Sequence, residues 1–291
     1  MRGVGSAWGA ISFLNALFTG IGAAAAIDLR VTARVEIEPA VASPAVLVTA
    51  DEDCDTPLAR AALASACRQF GGGTGYRAHL TVASEIPPSK GLKSSSAVSV
   101  AIGRAVGNGF GRTPSPESLA RLSAVVSREV GLSATGAFDD AMASAGGGIV
   151  VTENAPETVL SRVSAPSDWS IVLWTGAGSH DPSVEWHHRF QGRADAAAPA
   201  VAAARRGDFL TAMTENTRLV EPLLGSDFAE WRGRLESLGA LASGVSGLGP
   251  SLATIVRRED RDRVARDHPA GRTAVHLRDF VGVHDGRSGS P

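Results

Sequence analysis

The sequence predicts an α+β protein of two domains. Three observations predict it. Leu29, Val31, Ala33, Val35 and Ile37 alternate with Arg30, Thr32, Arg34, Glu36 and Glu38, the period-two pattern of a half-buried strand. Other segments carry helical spacing behind clear N-terminal punctuation. A polar, proline-containing stretch, Glu153–Asp168, separates two strand-like runs and divides the chain into 1–160 and 161–291. The chain has 291 residues, 44% of them hydrophobic, enough for a sizeable core.

The elements follow in order. Ala10–Ile27 is apolar and rich in glycine and alanine, and it ends like the A-x-A site of a secretory leader. It carries one basic residue before it and runs straight into the Leu29–Ile37 strand, so it reads as buried loop and turn. Thr56-Pro57 opens a helix over Leu58–Phe70, with threonine as N-cap, and Gly71–Gly73 closes it. Arg77–Ile86 alternates as a strand, Pro87–Lys93 is a loop, and Ser94–Val106 is a helix with Ala97, Val98, Ala101, Ile102 and Ala105 on one face. Ser115-Pro116-Glu117 starts a helix through Val130. Gly147–Thr152 and Ser170–Trp174 are strands. Helices follow near Ala194–Arg205, Asp208–Leu224 and Asp227–Leu238, then a glycine-rich loop Gly244–Ser251 and a strand Ala253–Val256. A short helix Glu259–Asp267 and a strand Thr273–Leu277 close the pattern, and the tail after His284 is loose.

Net charge is −2, which gives no basic surface for nucleic acid. Ala10–Ile27 is too short for a membrane span and is broken by Asn15, Thr19, Gly20 and Gly22, and no membrane partner is expected. Two cysteines, Cys54 and Cys67, do not make a disulfide scaffold, and a reducing cytoplasm is expected. Of 28 basic residues only Lys90 and Lys93 are lysine, and they flank Gly91 and Leu92. A lysine ammonium is a compact point charge suited to phosphate.

Strand, loop and helix succeed one another around Pro87–Val106. Gly91 permits a tight turn, and Ser94, Ser95 and Ser96 open the helix. A helix N-terminus presents free N–H groups and partial positive charge to an anion. Serine hydroxyls there can cap the helix or ligate Mg²⁺. The loop is not a Walker A sequence.

The run Pro87-Pro88-Ser89-Lys90-Gly91-Leu92-Lys93-Ser94-Ser95-Ser96-Ala97 resembles the P-x-x-x-G-L-x-S-S-(A/S)-A motif of the GHMP kinases, and its lysine-containing form resembles their archaeal shikimate kinase branch. Thr135-Gly136-Ala137-Phe138-Asp139-Asp140-Ala141, followed by Gly146-Gly147-Gly148, is similar to a second segment of that branch. Gly244-Val245-Ser246-Gly247-Leu248-Gly249-Pro250-Ser251 resembles the third glycine-rich motif, with Leu248 where threonine is usual. Asn15-Ala16…Gly20-Ile21-Gly22-Ala23-Ala24…Ile27-Asp28-Leu29 matches as well, so the resemblance spans nearly the whole chain.

The resemblance implies a ribosomal S5 domain 2-like N-terminal domain and a ferredoxin-like C-terminal domain, with ATP and substrate meeting between them. It implies ATP phosphates bound by Pro87, Lys90, Gly91, Leu92, Lys93, Ser94, Ser95, Ser96 and Ala97, joined by Gly247 and Gly249. It implies Asp139 as the catalytic aspartate, orienting, deprotonating or electrostatically stabilising the attacking hydroxyl. It places a Mg²⁺-binding glutamate at Glu129, acting with Ser95 or Ser96. Neighbouring residues of an extended chain point to opposite sides, so Asp140 is assigned to capping the following helix. The segments Asn15–Asp28 and 244–251 are expected to line the substrate and phosphate sides. The implied reaction is phosphorylation of the 3-hydroxyl of shikimate. The alternatives are another small alcohol, such as homoserine, or a non-catalytic binding module on the same fold.

Other clusters carry less. Asp51, Asp53 and Asp55 mimic the start of an EF-hand, but Thr56 and Ala62 stand where its glycine and closing glutamate belong. His187 and His188 lack partners at metal spacing and read as surface residues. Arg189 and Arg193 lie one helical turn apart, either a basic helix face or a carboxylate clamp.

Overall fold

A computed structural model describes residues 1–40, 46–72, 75–176, 187–225, 228–266 and 272–283; the tail after His284 lies outside them. The chain opens on a long antiparallel hairpin, β1 (Arg2–Leu14) and β2 (Ile21–Pro39), paired from Arg2↔Glu36 to Leu14↔Ala23. The second half of β2 alternates as expected, with Leu29, Val31, Ala33, Val35 and Ile37 buried and Arg30, Arg34, Glu36 and Glu38 exposed. The first half corrects the loop expectation: Ala10–Leu14 and Ile21–Ile27 are strand. Gly22–Ile27 is buried without interruption, because this part of β2 is covered on both faces. A strand buried on both faces loses the period of two and, where space is short, admits small side chains.

The other edge of β2 is shared end to end. β4 (Tyr76–Ser84) pairs with Val31–Pro39, and β5 (Ile149–Glu153) pairs with Ile21–Ala25. The gap is filled from the far end of the chain, where Asp28 N donates to Asp279 O at 3.1 Å and Val281 N to Ala26 O at 3.1 Å. β3 (Val46–Ala50) runs parallel to β4, and β6 (Thr158–Val163) is antiparallel to β5, giving the order β3-β4-β2-β5-β6 with β1 on β2. Four helices go with this sheet: α1 (Pro57–Gly71), α2 (Ser94–Gly109), α3 (Pro116–Glu129) and α4 (Phe138–Gly146), with α3 packed on the other three. α2 lies against β1 at Gly3 and Gly5, where a Cβ would collide with the helix backbone at Ala105.

β6 runs through position 160, so the passage between the two sheets falls after Val163. The second sheet has the order β10 (Arg272–Arg278), β7 (Trp169–Gly176), β9 (Leu252–Arg257), β8 (Ala240–Val245), antiparallel throughout. With it go a short α5 (His187–Phe190), α6 (Ala194–Arg205), α7 (Phe209–Leu224), α8 (Ala229–Ser237) and α9 (Arg261–Ala265). One apolar core bridges the two sheets: Phe13, near the end of β1, packs between Phe209, tilted against it, and Phe280, stacked on it, with ring centroids 5.7 and 6.5 Å away. That junction fixes the turn after β1 against α7. Among the described residues no helix is long and apolar enough to cross a membrane.

Candidate active site

A cavity of about 410 Å³ opens where the two layers meet. Its walls are the turn after β1, the start of α2, the last turn of α3 with the loop beyond it, the start of α4, and the loop after β8.

The start of α2 is built for an unsatisfied ligand. Lys93 occupies the N-cap in a left-handed conformation (φ 64°), and no side chain caps the helix. The first intrahelical bond runs from Ala97 N to Lys93 O at 3.0 Å, so the amides of Ser94, Ser95 and Ser96 precede the helical ladder. These three serines, Gly91 and Lys93 line the cavity. Gly91 has φ 73°, and a Cβ there would strike Ser246 O. Ser246 Oγ donates to Gly91 O at 2.7 Å, Ser12 N donates to Ser246 Oγ at 3.3 Å, and Gly247 N donates to Ser12 Oγ at 3.2 Å. The third glycine-rich segment is thereby stitched to the phosphate-type loop and to β1, and Gly247, Leu248 and Gly249 all reach the cavity. Pro87, Lys90, Leu92 and Ala97 do not line it. Leu92 and Ala97 are buried in the core instead, and Leu92 O accepts from Ala10 N at 3.2 Å, so they hold the loop rather than face a ligand.

Asp139 and Asp140 both lie in the first turn of α4, which starts from Ala137 in the left-handed region (φ 50°) without a side-chain cap. This corrects the extended reading, and Asp140 is inside the helix rather than its cap. The pair still diverges, because successive residues of a helix are about 100° apart. Asp140 meets Lys93, with Nζ 3.1 Å from Oδ2. Burial pushes the Asp140 carboxyl up to about 7; the Lys93 ammonium pulls it down and the neighbouring Asp139 charge adds to the rise. Its other oxygen, Oδ1, is buried and has no hydrogen-bond partner among the described residues. Asp139, 4% exposed, turns the other way, with Oδ1 accepting from Asn154 Nδ2 at 2.9 Å. Its Oδ2 sits over Gly22, where a Cβ would collide with it.

Glu129 is not brought to this site. It is exposed at the end of α3 and absent from the cavity wall, whereas Ser127 lines it. Two residues is about 200° round an α-helix, so the turn that aims Ser127 inward aims Glu129 outward. Among the described residues the carboxylates at the cavity are Asp139 and Asp140. Arg189 and Arg193 are also away from it: Arg189 Nη1 donates to Leu223 O at 3.0 Å and Arg193 Nε to Arg189 O at 3.2 Å. His188 is exposed, and the side chain of His187 lies outside the described residues. Asp51 and Asp55 pair with His79 and Arg60 rather than with each other.

Sequence reasoning misses Asn154, Ser12 and Ser246 as site residues. Ser246 stands inside a recognised motif, but Asn154 lies in the polar stretch that reads as a boundary, and no spacing marks it.

The profile of the GHMP kinases N terminal domain matches residues 57–148, and that of the GHMP kinases C terminal domain matches 197–271. The chain belongs to the GHMP kinase family, and its fold is the two-domain fold of those enzymes. Among curated relatives, the shikimate kinase of Halobacterium salinarum is 34% identical over 87% of each chain. That of Methanosarcina mazei is 34% identical over 89% of this chain and 87% of its own, and that of Pyrococcus furiosus 30% over 90% and 94%. Among solved structures, the mevalonate kinase of Methanococcus jannaschii superposes with a TM-score of 0.69 at 14% identity, covering 97% of this chain and 99% of that one. The homoserine kinase of Cytophaga hutchinsonii gives 0.69 at 16%, covering 98% and 97%. At such identities these neighbours speak for the fold.

Proposed function

We propose that this protein is a shikimate kinase, moving the γ-phosphoryl of ATP to the 3-hydroxyl of shikimate and releasing ADP and shikimate 3-phosphate. The observation that carries the reading is a convergence: the uncapped first turn of α2, the Lys93 ammonium and the Asp139 carboxylate face one cavity. The shikimate kinases that match most of the chain at 30–34% identity supply the acceptor.

ATP's phosphate oxygens accept from the amides of Ser94–Ser96, where the helix dipole favours negative charge, and Lys93, held by Asp140, adds a cation. Asp139 orients the acceptor hydroxyl through Oδ2 and takes its proton as the O–P bond forms. Because phosphoryl transfer is loose, positioning weighs more than basicity. Mg²⁺ would be held by the hydroxyls of Ser95 and Ser96 at the cavity wall together with Asp140, whose Oδ1 has no partner among the described residues, a hard-oxygen set with Asp140 in place of Glu129. When bound, the ion neutralises charge on the phosphates. We further propose that the domains divide at the passage after β6, and that the enzyme acts in the cytoplasm on a small molecule, without nucleic acid or membrane.

The test is ADP release from Mg-ATP with shikimate, homoserine, mevalonate and galactose offered separately. Turnover on shikimate alone is expected. Turnover on another alcohol overturns the acceptor and keeps the kinase; nucleotide binding without turnover on any of them favours a binding module.

A further inference from the structure

Asn154, directly after β5, is fully buried and tied at every polar atom. Its backbone N donates to Gly20 O at 2.8 Å, in the turn after β1, and its carbonyl accepts from Glu157 N at 3.2 Å. Its side-chain Oδ1 accepts from Thr152 Oγ1 at 2.7 Å and from Asp139 N at 3.2 Å. Its Nδ2 donates to Asp139 Oδ1 at 2.9 Å and to Thr135 Oγ1 at 3.4 Å. The amide cannot be turned over. A flipped side chain would set oxygen against the Asp139 carboxylate and N–H₂ against an amide N–H.

The consequence falls on Asp139. One carboxylate oxygen is held by the Asn154 N–H, and its own backbone N–H is held by the same side chain. The other oxygen makes no such bond; it packs closely over Gly22, where a Cβ would collide with it, on a side chain that lines the cavity. Through Gly20, the same residue ties Asp139 to the segment of β1–β2 turn that contributes Asn15 and Leu17 to the cavity. Thr152 is fully buried and makes its bond from within β5, so the mount is rigid.

We propose that Asn154 is a positioning residue for phosphoryl transfer: it fixes the rotamer of Asp139 and selects Oδ2 as the oxygen that meets the acceptor hydroxyl, with Thr152 setting the amide's orientation. The inference rests on the reading of Asp139 as the catalytic carboxylate. An active-site carboxylate displaced by about 1 Å loses roughly 100-fold in rate. Asn154→Ser therefore lowers kcat by about 30- to 100-fold while leaving the affinity for an ATP analogue within about twofold, since the phosphate side of the cavity is untouched. Thr152→Val, which is isosteric and does not touch Asp139, lowers kcat by a smaller factor of about five, because the amide is no longer locked.

The deciding experiment is a double-mutant cycle with Asp139→Asn, read by kcat, by KM for shikimate and by nucleotide affinity. If Asn154 acts through Asp139, adding Asn154→Ser to Asp139→Asn lowers kcat no further. Losses that multiply in both backgrounds mean a general structural role and overturn the proposal. An unchanged kcat in Asn154→Ser, with Asp139→Asn inactive, also overturns it. Near-normal turnover of Asp139→Asn alone removes the underlying reading instead. Should Asn154→Ser fail to fold, the same cycle run with Thr152→Val decides by the same two criteria.

Discussion

Helices α1 and α3 begin in one way, α2 and α4 in another. Thr56 and Ser115 cap the first pair, their hydroxyls accepting from Ala59 N at 3.1 Å and Ser118 N at 3.2 Å, with proline in the first turn of each. The second pair starts from Lys93 and Ala137, both left-handed and neither giving a side-chain cap. α1, α2 and α4 pack on the same sheet and α3 packs on those three helices; capped α1 shares the sheet with open α2 and α4, so packing alone does not set the difference. A capped end satisfies its own amides; the open start of α2 leaves them for a ligand, and at α4 the Asp139 amide is taken by Asn154 Oδ1 from beyond β5. Both open ends face the same cavity, one beside three serines and a lysine, the other carrying two aspartates. Among α1–α4 the two uncapped starts are the two at the cavity; α6 and α8 also start without a side-chain cap and lie away from it, so the missing cap marks the site only together with the residues beside it.

The sharpest way to break that comparison is at the open end of α4. Asp139→Asn keeps the size and the helix start but removes the charge. It is expected to lower kcat by about two to four orders of magnitude, with the affinity for an ATP analogue retained, measured by steady-state turnover and by titration calorimetry. Unchanged turnover would separate α4 from the chemistry.

At the open end of α2, Lys93→Met is expected to weaken ATP binding by about 10- to 100-fold and to lower thermal stability, because Asp140 is left buried without its partner. Both side chains are nearly covered, at 12% and 11% exposure, so screening by solvent is slight. The double variant Lys93→Met/Asp140→Asn separates the two effects when nucleotide affinity is read without Mg²⁺, so that the metal role of Asp140 does not enter. Its melting temperature should recover while its nucleotide affinity stays low. Recovery of both would make the ion pair a purely structural device.

The capped ends supply the control. Thr56→Ala and Ser115→Ala should each cost about 1 kcal/mol of stability in chemical denaturation. Neither should alter kcat or ATP affinity, since neither residue touches the cavity.

What can be read from the sequence follows the same division. α1 and α3 are legible because their caps and prolines are written into the chain at fixed offsets. α2 is legible for its glycine and serines, which carry ligand chemistry as well as a helix start. α4 is legible only as a helix expected after Asp140, and its start is missed: Phe138–Gly146 follows no capping residue and is buried at every position. The first half of β2 escapes for a related reason. Gly22–Ile27 is buried on both faces and shows neither a strand period nor a helix period. Asn154 is illegible because its partners, Asp139, Thr152, Thr135 and Gly20, converge only through the pairing of β2 with β5. Lys93, Ser94–Ser96 and Asp139 stand at the cavity wall, and family motifs point to those positions directly. Glu129, placed by the same resemblance, stands in solvent off the cavity wall, since a spacing counted along the chain carries no information about rotation round a helix.

The smallest expected effect tests that last point. Glu129→Gln removes a carboxylate that stands in solvent at the C-terminal end of α3, where the helix dipole opposes a negative charge. Stability should therefore hold or rise by a few tenths of a kcal/mol. The dependence of turnover on Mg²⁺ concentration should match the parent protein within about twofold, whereas Asp140→Asn shifts it to higher metal. Turnover, nucleotide affinity and Mn²⁺ binding followed by paramagnetic resonance give three separate readings. If Glu129→Gln raises the Mg²⁺ requirement about tenfold and Asp140→Asn does not, the metal is held from the end of α3 after all. That helix would then have to turn its last residue inward when nucleotide binds, and the contrast between sealed and open helix ends would no longer account for the whole site.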